Sequence, residues 1–365
     1  MADEATNRAA FEVQAAYCAA NAAPVTARVA RALGRGLTRA SRTGRRVLDW
    51  PGEPVADALV LRLVGGLHAL YRAGGDAEVA RLFAGRGDGG EAVDVDAVVA
   101  RHDAALLPWL DGPPQTNEAM RSAGLMTGLL HVARRLGPRM EVLEIGSSAG
   151  LNLLIGRMRF DLGGVEVGPA DSPLPIRPEW RGAAPPDAAV EVVRARGVDI
   201  APVDVADPAQ AARLAAYVWV DAGERQARIE TAMAMVRGEP VTLDRGDAAD
   251  WVEARLAEPQ EAGVARVLMH SVVWQYLPPA SQAQIREAMA AAGARATAAR
   301  PLGWVMMEPN RDLHRHEVRV KAWPDRGPGE RGMELVALTH AHGAWVEGLT
   351  PPFATGDYVM RAYRA

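Results

Sequence analysis

The sequence predicts an α/β protein: a doubly wound, mostly parallel sheet over residues 140–365 with an antiparallel C-terminal edge, preceded by an all-helical N-terminal domain over residues 1–139. Three observations carry this. Before Met140 no stretch alternates with a period of two, whereas apolar residues recur at three- and four-residue intervals. Between 140 and about 309, short apolar runs alternate with helical patterns. After 314, three segments alternate as antiparallel strands do.

Taken in order, "VADALVLRLVGGLHALYRAGG" is an amphipathic helix, and "GRGDGG" at 85–90 is a break. "WLDGPPQTNEAMRSAGLMTGLLHVARRLG" predicts a helix with visible ends. Thr116 or Asn117 would be its N-cap, Glu118 would meet its dipole, Arg134 and Arg135 fill the last turn, and Gly137 stops it. "MEVLEIG" is a short buried strand, and "LNLLIGRMRF" after it is expected to be helical, over 150–159. Six prolines between 169 and 186 predict an extended insertion or hairpin over about 161–187. Then follow "AVEVVRARGVDI" as strand, 207–237 as helix, "PVTLDRGDA" as strand and turn, "ARVLMHSVVW" as buried strand, "ASQAQIREAMAAAGA" as helix and "LGWVMMEP" as strand. "HEVRVKAW", "MELVALTH" and "GAWVEGL" close the chain's alternating part.

Bulk properties narrow the classes. A length of 365 residues implies roughly two folding units. A net charge of −4 gives no general attraction to nucleic acid or anionic membrane. Cys18 is the sole cysteine, so an intramolecular disulfide and a thiolate zinc site are excluded, and a cytoplasmic location is expected. The early acids and the absence of a long apolar run near Met1 predict neither a signal peptide nor a membrane span. Lys321 is the single lysine, which disfavours Schiff-base chemistry.

The informative stretch is "EIGSSAGLN", residues 144–152. Gly146, Ser148 and Gly150 fit G-x-S-x-G, the elbow that holds the nucleophile of an α/β-hydrolase. Such an elbow follows several strands, and a loop between them supplies part of the oxyanion hole; here the preceding residues read as helical. With Glu144 included the string also fits E-x-G-x-S-x-G, a turn that supports a nucleoside ligand. Leu151 stands where a dinucleotide turn has its last glycine, so a phosphate cradle is poorly supported. A cofactor with a carboxylate and a ribose asks less, because amides opening the next helix can face the carboxylate.

In order, "VLEIGSSAG", "GVDIAP", "RGDA" and "RVLMHSVVWQYLP" resemble the successive motifs of class I S-adenosylmethionine-dependent methyltransferases, a Rossmann-like fold. "PPQTNEAMRSAG" with "LEIGSSAGLNLL", "RARGVDIAPVDV" and "HSVVWQYL" is similar over nearly the whole chain to an uncharacterised bacterial family, domain of unknown function 2332. That family carries no assigned reaction. By position, the methyltransferase resemblance implies S-adenosylmethionine as cofactor and makes Gly146, Ser148 and Gly150 the backbone floor. It implies Glu144 as partner of the methionine end, Asp199 of the ribose hydroxyls, and Asp247 with Ala248 of the adenine. The middle glycine is serine here, and the insertion sets Asp199 unusually far from the turn.

Other residues have a site reading and a structural one. Gln115, Asn117, Glu118 and Arg121 would cover the cofactor end of the sheet, with Arg121 pairing a carboxylate; capping alone explains Asn117 and Glu118. His270, Trp274, Gln275 and Tyr276 follow the fourth parallel strand, where His270 would be a general base with Tyr276 beside it, or a hydrogen-bonded structural histidine. A small-molecule acceptor is expected near His270 and Glu308, and methyl transfer can proceed largely by alignment. His314 with His316, and His340 with His342, would each share a strand face, but no acidic bridge accompanies them and no metal site is assigned. Arg28, Arg31, Arg35, Arg39, Arg42 and Arg46 form a basic stripe. Residues 49–118 hold 12 acids against 5 arginines, so internal pairing is expected ahead of nucleic-acid binding. The readings left open are a methyltransferase on a small molecule, a non-catalytic nucleoside-binding protein, and a serine hydrolase using Ser148. The acceptor and oligomeric state have no sequence signal.

Overall fold

A computed structural model describes residues 3–84, 93–310, 315–324 and 332–350; the "GRGDGG" break and His314 lie outside them. The chain forms two compact units, Met1–Thr116 with Asp204–Glu230, and Asn117–Val203 with Thr231–Ala365. This partition differs from a boundary at 139. The helix expected to end the first domain belongs with the sheet, and a later segment returns to the helices.

The first unit contains α1 (Glu4–Ala20), α2 (Pro24–Gly36), α3 (Arg42–Leu48), α4 (Leu59–Ala73), α5 (Ala77–Ala84), α6 (Val95–Arg101) and α7 (Asp103–Leu106). Its core gathers Phe11, Leu33, Leu59, Leu63, Leu67 and Leu106. The returning segment is required by α2, whose preceding Ala23 offers no capping side chain. Asp221 caps it instead, accepting from the Val25 and Thr26 amides at 2.8 and 2.9 Å and from Thr26 Oγ1 at 2.6 Å. Most of the basic stripe is matched inside this unit: Arg31 pairs with Glu12, Arg39 with Glu4 and Asp49, Arg42 with Asp103, and Arg46 with Asp111. Arg28 donates to the carbonyls of Leu82 and Phe83.

In the second unit, α8 (Ser122–Leu136) precedes β1 (Arg139–Ile145), followed by β2 (Arg159–Leu162), β3 (Val165–Val167), β4 (Pro175–Ile176), β5 (Glu179–Gly182) and β6 (Glu191–Asp199). Next in the chain come α9 (Pro208–Ala216), which belongs to the first unit, and α10 (Gly223–Gly238), which is divided after Glu230, two helices where one was expected; the second unit continues with β7 (Thr242–Arg245), α11 (Ala248–Ala257), β8 (Ala265–Ser271), α12 (Pro279–Arg295) and β9 (Leu302–Asn310). The strands β10 (Arg315–Trp323), β11 (Glu334–Thr339) and β12 (Trp345–Gly348) pair antiparallel beyond β9, and β5, from the insertion, pairs parallel with β12 at the outer edge.

The large sheet runs β5-β12-β11-β10-β9-β8-β1-β6-β7 and is mostly parallel. Its parallel core β7-β6-β1-β8-β9 places the strands, counted in chain order, as 3-2-1-4-5. Every residue of β8 is buried, and all of β1 after Arg139, as expected for strands covered on both faces. Helix α8 approaches one face closely, since a Cβ at Gly128 would meet Val305 Cγ1 at 2.4 Å. On the other face, Trp251, Ile285 and Met289 from α11 and α12 pack with Leu143, Leu268 and Trp304.

Two local expectations are corrected. The segment 151–159 is not an α-helix: a 3-10 helix spans Leu151–Gly156, and Arg159 already begins β2, which pairs with β3 and β4 as a small second sheet. Six residues of 3-10 helix supply few aligned dipoles, so the helix N-terminus assumed for a carboxylate is weak. Nor does Thr116 or Asn117 cap the helix before β1. Glu118 caps a 3-10 turn over Ala119–Arg121 by accepting from the Met120 amide, and α8 starts only at Ser122. Gly137, at φ +97°, ends α8 as the sequence predicts. Among the described residues, no helix is long and apolar enough to cross a membrane.

Candidate functional site

In an open α/β sheet, ligands bind beyond the carboxyl ends of the strands where the strand order reverses. Here that point lies between β1 and β8, with β6 on the other side of β1. The turn after β1 contains Gly146 at φ +68°, Ser148 at φ +53° and Gly150 at φ +71°. After β8, Val272 sits at φ +54°. Left-handed backbone is unfavourable for serine and markedly so for a β-branched valine, so both lips of the crevice store strain, a property of functional turns. No sequence signal marks Val272.

The β1 turn is held from several directions. Asp199 Oδ2 accepts from the Ser148 amide at 2.8 Å, and its Oδ1 accepts from the Ala201 amide at 2.8 Å. Thus the long insertion between turn and carboxylate does not separate them in space. Asn117 Oδ1 accepts from the Leu151 amide at 2.9 Å. Ser122 Oγ donates to Asn152 Oδ1 at 3.0 Å, and Asn152 Nδ2 donates to Glu144 Oε1 at 3.0 Å. The string "QTNEAMRS" therefore clamps "EIGSSAGLN" through Asn117 and Ser122. Ser122 and Asn152 were not singled out from sequence, though both stand in the quoted strings. A Cβ at Gly146 would meet Val273 Cγ2 at 2.3 Å and one at Gly150 would meet Val241 Cγ2 at 2.7 Å, so protein packing already requires both glycines.

Glu144 is 1% exposed, and its Oε2 has no hydrogen-bond partner among the described residues. Burial pushes its carboxyl up to about 7, opposed by the nearby Ser147 hydroxyl, which donates to the Glu144 main-chain carbonyl, and by the Asn152 amide on Oε1, and reinforced by the charge of Asp199. Ser148 Oγ is likewise buried without a partner.

On β8, His270 is opposite Met306, whereas Glu144 is opposite Met269; the two side chains thus occupy opposite faces of the sheet. His270 Nδ1 donates to Glu308 Oε1 at 2.6 Å, taking the tautomer with its proton on Nδ1. The same oxygen accepts from the Val273 and Trp274 amides at 3.2 and 3.3 Å. Trp274 stacks on the imidazole at 5.1 Å between centroids. His270 Nε2 and Glu308 Oε2 are buried without partners. The structure brings His270, Trp274 and Glu308 together, but His270 is 0% exposed, while Tyr276 on the following turn is 73% exposed and apart from them.

The remaining residues have defined positions. Asp247 caps α11, its Oδ1 accepting from the Ala249 and Asp250 amides, with Ala248 as the first helical residue. Replacing Asp247 by alanine is expected to cost about 1 kcal/mol in a denaturant titration, the usual value of a lost N-cap; an unchanged midpoint would contradict that role. Arg121 is buried and donates through Nε to the Ala341 carbonyl at 3.0 Å. Gln115 falls in the first unit. His316 lies on β10, held down at about 4 chiefly by burial and then by Arg121 and His340. His340 and His342 follow β11 in a turn, so the expected strand geometry does not hold for them, and the His342 amide donates to His340 Nδ1. Among the described residues no cluster of three or more metal-ligating side chains occurs.

Residues 8–347 match the family described as "Uncharacterized protein conserved in bacteria (DUF2332)". The chain belongs to this family. No curated protein matches the chain.

Proposed function

We propose that this DUF2332 member binds S-adenosylmethionine where β1, β6 and β8 end and methylates a small molecule. One observation carries the reading: the E-x-G-x-S-x-G turn closes the first of five parallel strands arranged 3-2-1-4-5, which is the ligand-binding crevice of a doubly wound sheet. The residues there suit such a ligand. Glu144 Oε2 and Ser148 Oγ are buried acceptors without partners, and Asp199 stands beside them with one amide on each oxygen.

Glu144 and Ser148 would meet the methionine end, Asp199 the ribose, and Asp247 the adenine. When bound, S-adenosylmethionine supplies the methyl group: the acceptor's lone pair bonds to the methyl carbon while the carbon–sulfur bond breaks, its electrons passing to sulfur. His270 with Glu308 holds the Val272–Tyr276 turn, and Tyr276 is the side chain of that turn open to an acceptor.

Calorimetric titration with S-adenosylmethionine and its demethylated product tests the reading. Saturable binding is expected, weakened about five- to tenfold in Asp247→Ala by loss of one hydrogen bond. Weak or absent binding, equal in both proteins, would remove it. Product formation in an acceptor screen separates a methyltransferase from a non-catalytic binder. The positive φ and unpartnered Oγ of Ser148 favour a second reading, a hydrolytic nucleophile. However, among the described residues no base is hydrogen-bonded to Ser148 Oγ, and its amide is engaged by Asp199. A fluorophosphonate is expected to leave Ser148 unlabelled.

A further inference from the structure

The turn after β1 brings two carboxylates together. Asp199 acts electrostatically on Glu144, and it is the one charged group among the described residues that does so appreciably. The groups around Glu144 on the other elements are neutral: Asn152 on the 3-10 helix, Ser122 on α8, Met269 on β8 and Gly197 on β6. One Glu144 oxygen is satisfied by Asn152; the other is buried and bonded to nothing. A carboxylate in that position gains neither hydration nor a counter-ion, so its charged form waits for a cation.

On the reading that the ligand is S-adenosylmethionine, which carries an ammonium and a sulfonium against one carboxylate, we propose that binding expels a proton from the protein and that Glu144 releases it. The ligand's cationic group supplies the charge that the ionised carboxylate lacks, and so draws Glu144 from its protonated to its ionised form. The carboxyl, held up to about 7 by burial, is about half protonated in the ligand-free protein at neutral pH, so there is a proton to lose. Affinity therefore rises with pH, by about tenfold between pH 6 and pH 8, as the ionised fraction grows.

The test is calorimetry with S-adenosylmethionine near pH 7 in two buffers of different ionisation heat, phosphate and Tris. Expected is a buffer-dependent heat equivalent to release of about half a proton per ligand. In Glu144→Gln, binding is weaker and the heat independent of buffer. In Asp199→Asn, the neighbouring charge is gone, Glu144 is more fully ionised beforehand, and the proton release at pH 7 shrinks. Saturable binding with equal heats in both buffers in the parent protein overturns proton coupling and leaves the cofactor reading intact. Absence of binding at every pH overturns both. Should Glu144→Gln fail to melt cooperatively, the Asp199→Asn comparison decides alone: undiminished release refutes Glu144 as the source.

Discussion

Arg266→Ala is expected to destabilise the sheet unit by about 3–5 kcal/mol, the cost of leaving a buried ion pair half made. Arg266 is 3% exposed at the start of β8. Its Nε donates to Glu141 Oε2 at 2.8 Å, Nη1 to the carbonyls of Arg255 and Glu258 at 2.8 and 3.0 Å, and Nη2 to that of Pro259 at 3.0 Å. One side chain thereby ties β8 to β1 and to the end of α11. Alanine leaves a buried carboxylate with Arg194 alone, a mostly exposed partner, takes the guanidinium donor from the Glu258 and Pro259 carbonyls, and leaves the Arg255 carbonyl with only the Glu258 amide. By contrast, Arg194→Ala removes a solvent-facing partner and is expected to cost less than about 1 kcal/mol. Urea titration of both variants checks the ranking. Equal midpoints would mean that the buried guanidinium gives no more than the exposed one. Replacing Glu141 and Arg266 together by leucine and methionine should recover part of the loss, because the penalty comes from the orphaned charge.

The central strands β1, β8 and β9 were legible because burial on both faces writes itself as short, largely apolar runs, as in "MEVLEI", "ARVLMHS" and "LGWVMMEP". Gly137 was legible as a helix stop for a backbone reason that needs no tertiary context. Failures came where tertiary pairing overrode local propensity. "LNLLIG" has helical composition, yet Gly150 enters it left-handed and Arg159 is claimed by strand pairing, leaving only a 3-10 helix. The capping candidate Asn117 spends its side chain on the Leu151 amide, and Asp199 gives one oxygen to the Ser148 amide; both partners lie far along the chain. Periodicity cannot reveal such partners. Site candidates fared similarly: Glu308 reaches His270 from two residues beyond Met306, the register partner of His270 on β9, and the burial of His270 beneath Trp274 accompanies a strained turn at Val272 that no residue type announces.

Glu144→Gln should become progressively more stable than the parent protein as pH rises, with an advantage near zero at pH 4 and approaching about 3 kcal/mol at pH 8. The parent's carboxyl titrates near 4.5 when unfolded and about 7 when folded. Below 4.5 both states hold the proton and the side chain costs nothing extra. Between 4.5 and 7 the unfolded chain releases a proton that the folded chain retains, so raising pH favours unfolding; above 7 the loss is complete. Glutamine keeps an acceptor for Asn152 and carries no charge to desolvate, which removes this component. His131 and His316, both held down at about 4 mainly by burial, slope the other way: their contribution is full above 6.5 and is lost as pH falls toward 4. The parent's own profile is therefore a dome in which the three groups overlap, and its shape does not isolate any of them. The difference between parent and variant does, because the histidines are common to both and cancel. Denaturant midpoints at pH 4, 6 and 8 suffice. A difference that stays constant across them would show that Glu144 ionises in the folded protein as it does in water, with its second oxygen solvated or paired, and would remove the buried acceptor on which the cation site is built.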